Sequence, residues 1–348
     1  IRARKSSNWD QPLNPELPHM ENPPYGAIIY YHLSKKPAGE IKLQIFDAAN
    51  KLVRTISSTQ PPLYERPPYP DYWLKPSPDR ALATDVGTSR INWDLRYDDP
   101  PGYNPDINNQ MNSTPGEVTP GPHGPLALPG NYTVKLIVDG QTYSQPLVVR
   151  NDPRVGEGAA VMDALRTQHR LMMAAYDGMK DSYAGNDEVA AVRTQVAALT
   201  GAAAGADVSA AATALDAKLA TFGGATGGRG GRGGGGGAGG RGGGAAAAPT
   251  VAYRPFNTIN GTFNTVVALT QNGIDMAPTP AMVHTYEEGC KDFSAAVAAW
   301  KAVQSKDIAA LNATLTKAGK APIAVTPTKL TAPASCTFAP TAVAAVKK

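Results

Sequence analysis

The chain has 348 residues, 42% of them apolar and only 18% charged, with 35 glycines, 31 prolines, two cysteines and a net charge of +4 at pH 7. That length supports two or three domains with separate cores. Five of the positive charges are Arg229, Arg232 and Arg241 in a glycine run and Lys347 and Lys348 at the end. The near-neutral remainder excludes a basic face that tracks a phosphate backbone, and no stretch approaches the roughly 18 uninterrupted apolar residues of a membrane span.

The chain opens with IRARKSSNWD in place of a methionine and continues proline-rich and without periodicity through WDQPLNPELPHMENPP. Residues 1–26 therefore read as a linker in a mature or excised fragment. The first regular pattern is AIIYYHL, rich in β-branched and aromatic residues. In EIKLQIFD, Ile41, Leu43 and Ile45 alternate with Glu40, Lys42 and Gln44, the rhythm of a half-buried antiparallel strand. DAAN turns the chain into a third strand, KLVRTISS.

Residues 59–88 hold too many prolines for a regular element, so Tyr64, Tyr69, Tyr72 and Trp73 fall on a long loop. Those four rings are candidate ligand-binding residues, against the plainer reading that they pin the loop to the body of the domain. SRINWDLRYD is a strand carrying Trp93, and a second long loop covers 98–124. In GPLALPGNYTVKLIVDGQTYSQPLVV, Tyr132, Val134, Leu136 and Val138 alternate with polar residues, and Asp139-Gly140 suits a two-residue hairpin turn needing two positive φ angles. Tyr143, Leu147 and Val149 share one face of the returning strand. Several short strands joined by turn-rich loops predict an antiparallel β-sandwich of immunoglobulin-like or fibronectin type over 27–153.

After NDPRVGEG the apolar period lengthens. Val161, Leu165, Met172, Tyr176, Met179 and Tyr183 define a helix, and Val189, Val192, Val196 and Leu199 a second one beyond a break at Gly185-Asn186. Val208, Ala212, Leu215, Leu219 and Phe222 mark a third; Phe256, Ile259, Phe263 and Val267 a fourth. Thr279-Pro280 opens a fifth carrying Tyr286, Cys290, Phe293, Val297 and Trp300, and Ile308, Leu311 and Leu315 a short last one before Gly319. Together they predict a helical bundle over 154–330, with a tail at 331–348. GGRGGRGGGGGAGGRGGG lies inside the loop 223–250 and reads as a slack connector, since it holds three arginines and no aromatic residue. Cys290 and Cys336 are a disulfide candidate, the alternative being two buried thiols; the bond would close a loop of about 46 residues and contribute about 4 kcal/mol on the chain-entropy model.

The chemistry-bearing residues are dispersed. His19, His32, His123, His169 and His284 fall one per segment without metal-ligand spacing, and neither a GxSxG elbow nor a phosphate-binding loop occurs. No cofactor or metal is expected. Asp94, Asp98 and Asp99 beside Trp93 and Tyr97 are the one set that could serve a glycosidase, and Asp98 and Asp99 could bind calcium with Asn108 and Asn109. A structural pairing of Asp with Arg96 at a sheet end is the preferred reading.

Taken together, ENPPYGAIIYYHL, INWDLRY, GPLALPGNYTVKLIVDGQTYSQPLVVRNDPRV and the stretch ending KDIAALNATLTKAGKAPI resemble the C-terminal region of secreted bacterial proteins with sortilin-like, BNR-type β-propeller repeats, often labelled glycosyl hydrolases. The β part is also similar to the Ig-like module of flagellar hook-capping proteins, with its Trp-Asp and PG-x-Y-x-V hairpin. The resemblance implies a propeller upstream of Ile1, a secreted, periplasmic or cell-surface setting, and an accessory role. The hydrolase label belongs to the propeller, so no catalytic residue is implied for this chain. The expected partners are that propeller and possible extracellular proteins or glycans, with no nucleic acid; the alternative is a glycan-binding module or part of a glycoside hydrolase.

Overall fold

Alternation and burial coincide in KLQIF, whereas QTYSQPLVV is exposed along most of its length. The structure, a computed structural model, describes residues 1, 26–60, 81–101, 123–201, 204–223, 252–272 and 275–339. Among the described residues, six strands precede the helices: β1 (Ala27–Leu33), β2 (Lys42–Phe46), β3 (Leu52–Ser57), β4 (Gly87–Trp93), β5 (Gly130–Val138) and β6 (Gln141–Val149). β1 and β4 form a two-stranded antiparallel sheet; the other four form a second antiparallel sheet in the order β3-β2-β5-β6. One hydrophobic cluster draws on both: Tyr31 and Leu33 from β1, Ile91 and Trp93 from β4, Leu43 and Ile45 from β2, Val134 from β5. Every second residue of β2 reaches it because a strand sends alternate side chains to opposite faces.

The turns follow from side-chain chemistry. Asp47 Oδ1 accepts the backbone N–H groups of Ala49 and Lys51, and Asn50 takes φ 58°, a left-handed conformation that asparagine tolerates. At the β5–β6 hairpin, Asp139 and Gly140 have φ 47° and 79° and Val138 pairs with Gln141, the two-residue geometry expected of Asp-Gly.

The helices are α1 (Ala159–Ala197), α2 (Ala206–Ala220), α3 (Phe256–Asn272), α4 (Pro280–Ala302) and α5 (Ala309–Lys317), with a π-helical stretch, Val303–Ile308, joining the last two. The described chain is thus a mixed α+β protein with two antiparallel sheets and four helical rods. Two expectations need correction. The break at Gly185-Asn186 does not exist: α1 runs through it for 39 residues. Gly185 is there because a Cβ would meet the Phe256 ring at 2.9 Å and Leu330 Cδ1 at 3.0 Å, so the residue is chosen for close packing, not for a turn. The short last helix is likewise not separate, since α4, the π stretch and α5 form one rod.

The chain forms two compact units. One comprises Ile1–Tyr176, Val267–Pro280 and Ala339–Lys348, the other Asp177–Val266 and Ala281–Phe338. In the first, the N-terminal half of α1 adds Met172 to the strand cluster and His169 Nδ1 lies 3.2 Å from the Leu126 carbonyl oxygen. In the second, Phe222, Phe256, Phe293 and Trp300 form a chain of ring contacts with centroids 5.8 to 6.2 Å apart, and Trp300 donates its indole N–H to Glu188 at 2.8 Å.

Candidate functional site

The carboxylates of WDLRYDD are brought to one end of the sheets, and each is committed to backbone. Asp94 Oδ1 accepts the Arg96 N–H at 3.0 Å, closing a tight turn in which Leu95 takes φ 59° with its side chain fully buried. Arg96 does not pair with Asp94 through its guanidinium; that group donates to the Gly124 carbonyl at 3.1 Å, while Trp93 donates its indole N–H to the Arg96 carbonyl at 2.9 Å. Asp99 accepts the Gly124 N–H at 3.1 Å and has the His123 ring at 3.9 Å. Asp98 faces the Arg54 guanidinium at 3.6 Å and accepts the Thr55 N–H.

Arg54 is the residue that sequence reasoning missed here. It is buried to 6% exposure, and its Nη1 donates to the Tyr97 carbonyl at 2.8 Å. Its only sequence signal is a charge set among β-branched residues in KLVRTISS. Burial pushes Asp98 above the usual carboxylate range, and Arg54 opposes that shift without cancelling it. Burial, aided by the negative charge of Asp47, pushes the Tyr97 phenol up to about 12, so it stays protonated. The cluster joins β3, the end of β4 and the segment before β5 through polar ties. Among the described residues it acts as a fastening: its carboxylates accept backbone N–H groups and face a buried cation.

Other anticipated sites divide between the described residues and the rest. Tyr64, Tyr69, Tyr72 and Trp73 lie outside the described residues, as do Asn108, Asn109, His19, most of the loops 59–88 and 98–124, the glycine run, most of the linker 1–26 and the tail beyond residue 339. Cys290 and Cys336 are joined by a disulfide, with Cα atoms 5.5 Å apart. Among the described residues, no three His, Cys, Asp or Glu side chains are placed to hold a metal ion, and no helix is long and apolar enough to cross a membrane.

Two surfaces stand out among the described residues. In the helical unit a groove of about 620 Å³ is lined by Ala217, Lys218, Thr221, Tyr253, Ala295 and Ala299. Its small apolar walls offer room but little chemistry. The second surface is the exposed face of the β1–β4 sheet. Tyr30, at 65% exposure, is directly paired with Arg90, and Ile28, at 43%, with Asn92; His32 and Thr88 share a hydrogen bond at 3.1 Å alongside. The signal for this face was present in AIIYYHL, which is apolar at both even and odd positions while β2 alternates. A strand that is apolar on both sides is suited to being covered on both. Compared with protein-family models, curated proteins and solved structures, the chain matches none.

Proposed function

We propose that the chain is a non-catalytic accessory region of a secreted bacterial β-propeller protein, an Ig-like β-sandwich followed by a helical bundle, that works by docking on that propeller. The observation that carries this reading is the exposed β1–β4 face. Tyrosine and arginine are, with tryptophan, enriched at the energetic centre of protein interfaces, and Tyr30 and Arg90 stand side by side there, flanked by Ile28. On this reading the proline-rich segment 1–26 leads from the propeller directly into β1. Tethering next to the contact face raises the effective concentration of the partner into the millimolar range, so a modest patch suffices.

Two further features support the proposal. The Cys290–Cys336 bond suits an oxidising compartment outside the cytoplasm. The shared core beneath both sheets, with Trp93 edge-on to Tyr132 at 5.4 Å, suits an Ig-like sandwich. The test is calorimetric titration of this chain with the separately produced propeller of the parent protein. Saturable binding is expected, weakened at least about tenfold by Tyr30→Ser combined with Arg90→Ser, which leaves the thermal transition of the chain in place. No binding with propeller raised to about 1 mM, the effective concentration the tether supplies, or binding indifferent to both substitutions, overturns the proposal.

A further inference from the structure

After α5 the chain has no helix or strand of its own from Lys320 to Ala339, yet its backbone is satisfied in a regular way. Three amide side chains on the helices act as a substitute strand. Gln195 donates to the Ala324 carbonyl at 2.9 Å and accepts the Ala324 N–H at 3.0 Å. Asn312 does the same for Ile323, at 3.3 and 2.9 Å. Gln304, within the π-helical stretch, donates to the Thr326 carbonyl at 3.4 Å and accepts the Thr328 N–H at 3.0 Å. Exchanging both bonds with one residue is what a neighbouring strand does in an antiparallel pair, and it reads backbone without reading side chains.

Farther along, Leu330 is buried over Gly185, Phe338 donates its N–H to Glu287 at 2.9 Å, and its ring meets Tyr286 with centroids 6.2 Å apart. The disulfide sits between these contacts. The two cysteines differ in exposure: Cys290 is 1% exposed within α4, whereas Cys336 on the extended segment is half-buried.

We propose that the helical unit carries a groove for an extended peptide, that residues 323–338 fill it in cis as a strap, and that Cys290–Cys336 is the latch a dithiol can open. The reductant's thiolate attacks Sγ of Cys336, the less buried of the two cysteines; the S–S bond breaks and Cys290 leaves as a thiolate that takes up a proton. The second thiol of the reductant then attacks the mixed disulfide, forming the reductant's own disulfide and releasing Cys336 as a thiol. Two electrons pass from the dithiol to the protein. The strap loses its fixed far end and peels from there, while the near end stays tied to α5 and to Gln195 and Asn312. What it uncovers is the apolar strip at Gly185 and Phe256 beneath Leu330.

The test is hydrogen exchange on the full chain before and after dithiothreitol, with alkylation confirming two free thiols. Reduction is expected to accelerate exchange in peptides covering 326–338 at least about tenfold, where Thr328, Leu330 and Phe338 donate bonds, to change Ile323 and Ala324 least, and to leave 256–266 and 281–300 protected. Cys336→Ser without reductant should reproduce the pattern. Unchanged protection of 326–338 after both thiols titrate overturns the latch. So does loss of protection across α3 and α4 together with the strap, because the bond would then be a staple for the whole unit. A Cys336→Ser chain with a fully protected strap overturns it as well.

Discussion

The two units use glycine for different neighbours. In the sheet unit glycine makes room for backbone: a Cβ at Gly26 would lie 2.1 Å from the Trp93 carbonyl oxygen, and one at Gly124 2.1 Å from that of Tyr97. In the helical unit it makes room for rings: a Cβ at Gly178 would stand 2.6 Å from the Phe263 ring, and one at Gly289 would meet Thr262 and Phe263 at 3.1 and 3.2 Å. A carbonyl held by a ladder or a turn cannot move without breaking hydrogen bonds, whereas a ring can tilt. The sheet unit is therefore fixed by polar geometry at its ends, and the helical unit by packing that has some give, with a covalent strap added.

The sharpest way to break that contrast is Gly124→Ala, which drives a methyl group into the Tyr97 and Asp98 carbonyls and disturbs the bond to Asp99. We expect a loss of about 4 kcal/mol in urea unfolding, read as collapse of exchange protection in the strands while α4 keeps its own. At Gly178→Ala the nearest neighbour is the Phe263 ring. Overpacking of about 2 to 3 kcal/mol is offset by about 1 kcal/mol of helix propensity, for a net loss of about 1 to 2 kcal/mol confined to α1 and α3. Equal losses from the two substitutions would remove the distinction.

A smaller effect separates the units by pH. In the sheet unit the Ser57 hydroxyl, then Lys42 and Thr59, hold Glu40 at about 2, below its ordinary 4.5, and the Arg154 side chain holds Asp152 at about 2, below 3.8. A depressed carboxylate contributes stability that is complete above its ordinary value and is lost as pH falls toward the folded one. Asp98, raised by burial, offsets part of that fall in the sheet unit, whereas in the helical unit burial raises both Asp181 and Asp187, which gives the opposite slope, although Glu288 beside Lys291 is lowered. Between about pH 4.5 and 2 the strands should lose exchange protection before the helices do. Glu40→Gln with Asp152→Asn should flatten that fall, and a chain whose helices melt first in acid would contradict the assignment.

How far these features were legible depended on whether their cause was local. Alternation in EIKLQIFD, the Asp-Gly hairpin and the start of α4 at Pro280 are properties of neighbouring residues, and they stand as the sequence implies. Gly185-Asn186 misled because glycine's rarity in helices is a local preference of about 1 kcal/mol, and the close approach of Phe256, 71 positions away, outweighs it. The sheet-end carboxylates were visible as residues but not as fastenings, because Arg54 and Gly124 reach them from distant parts of the chain. Gln195, Gln304 and Asn312 carried no sequence signal, since a polar residue on a helix is ordinarily solvated.

By itself the sequence determined where the side-chain rhythm is two and where it is three to four, because those periods follow from the geometry of a single strand or helix. Only the tertiary structure decided which glycines are contacts, which carboxylates are ties, and that three amides hold an extended segment against the helices. Those outcomes depend on which distant groups meet, and spacing along the chain does not encode that.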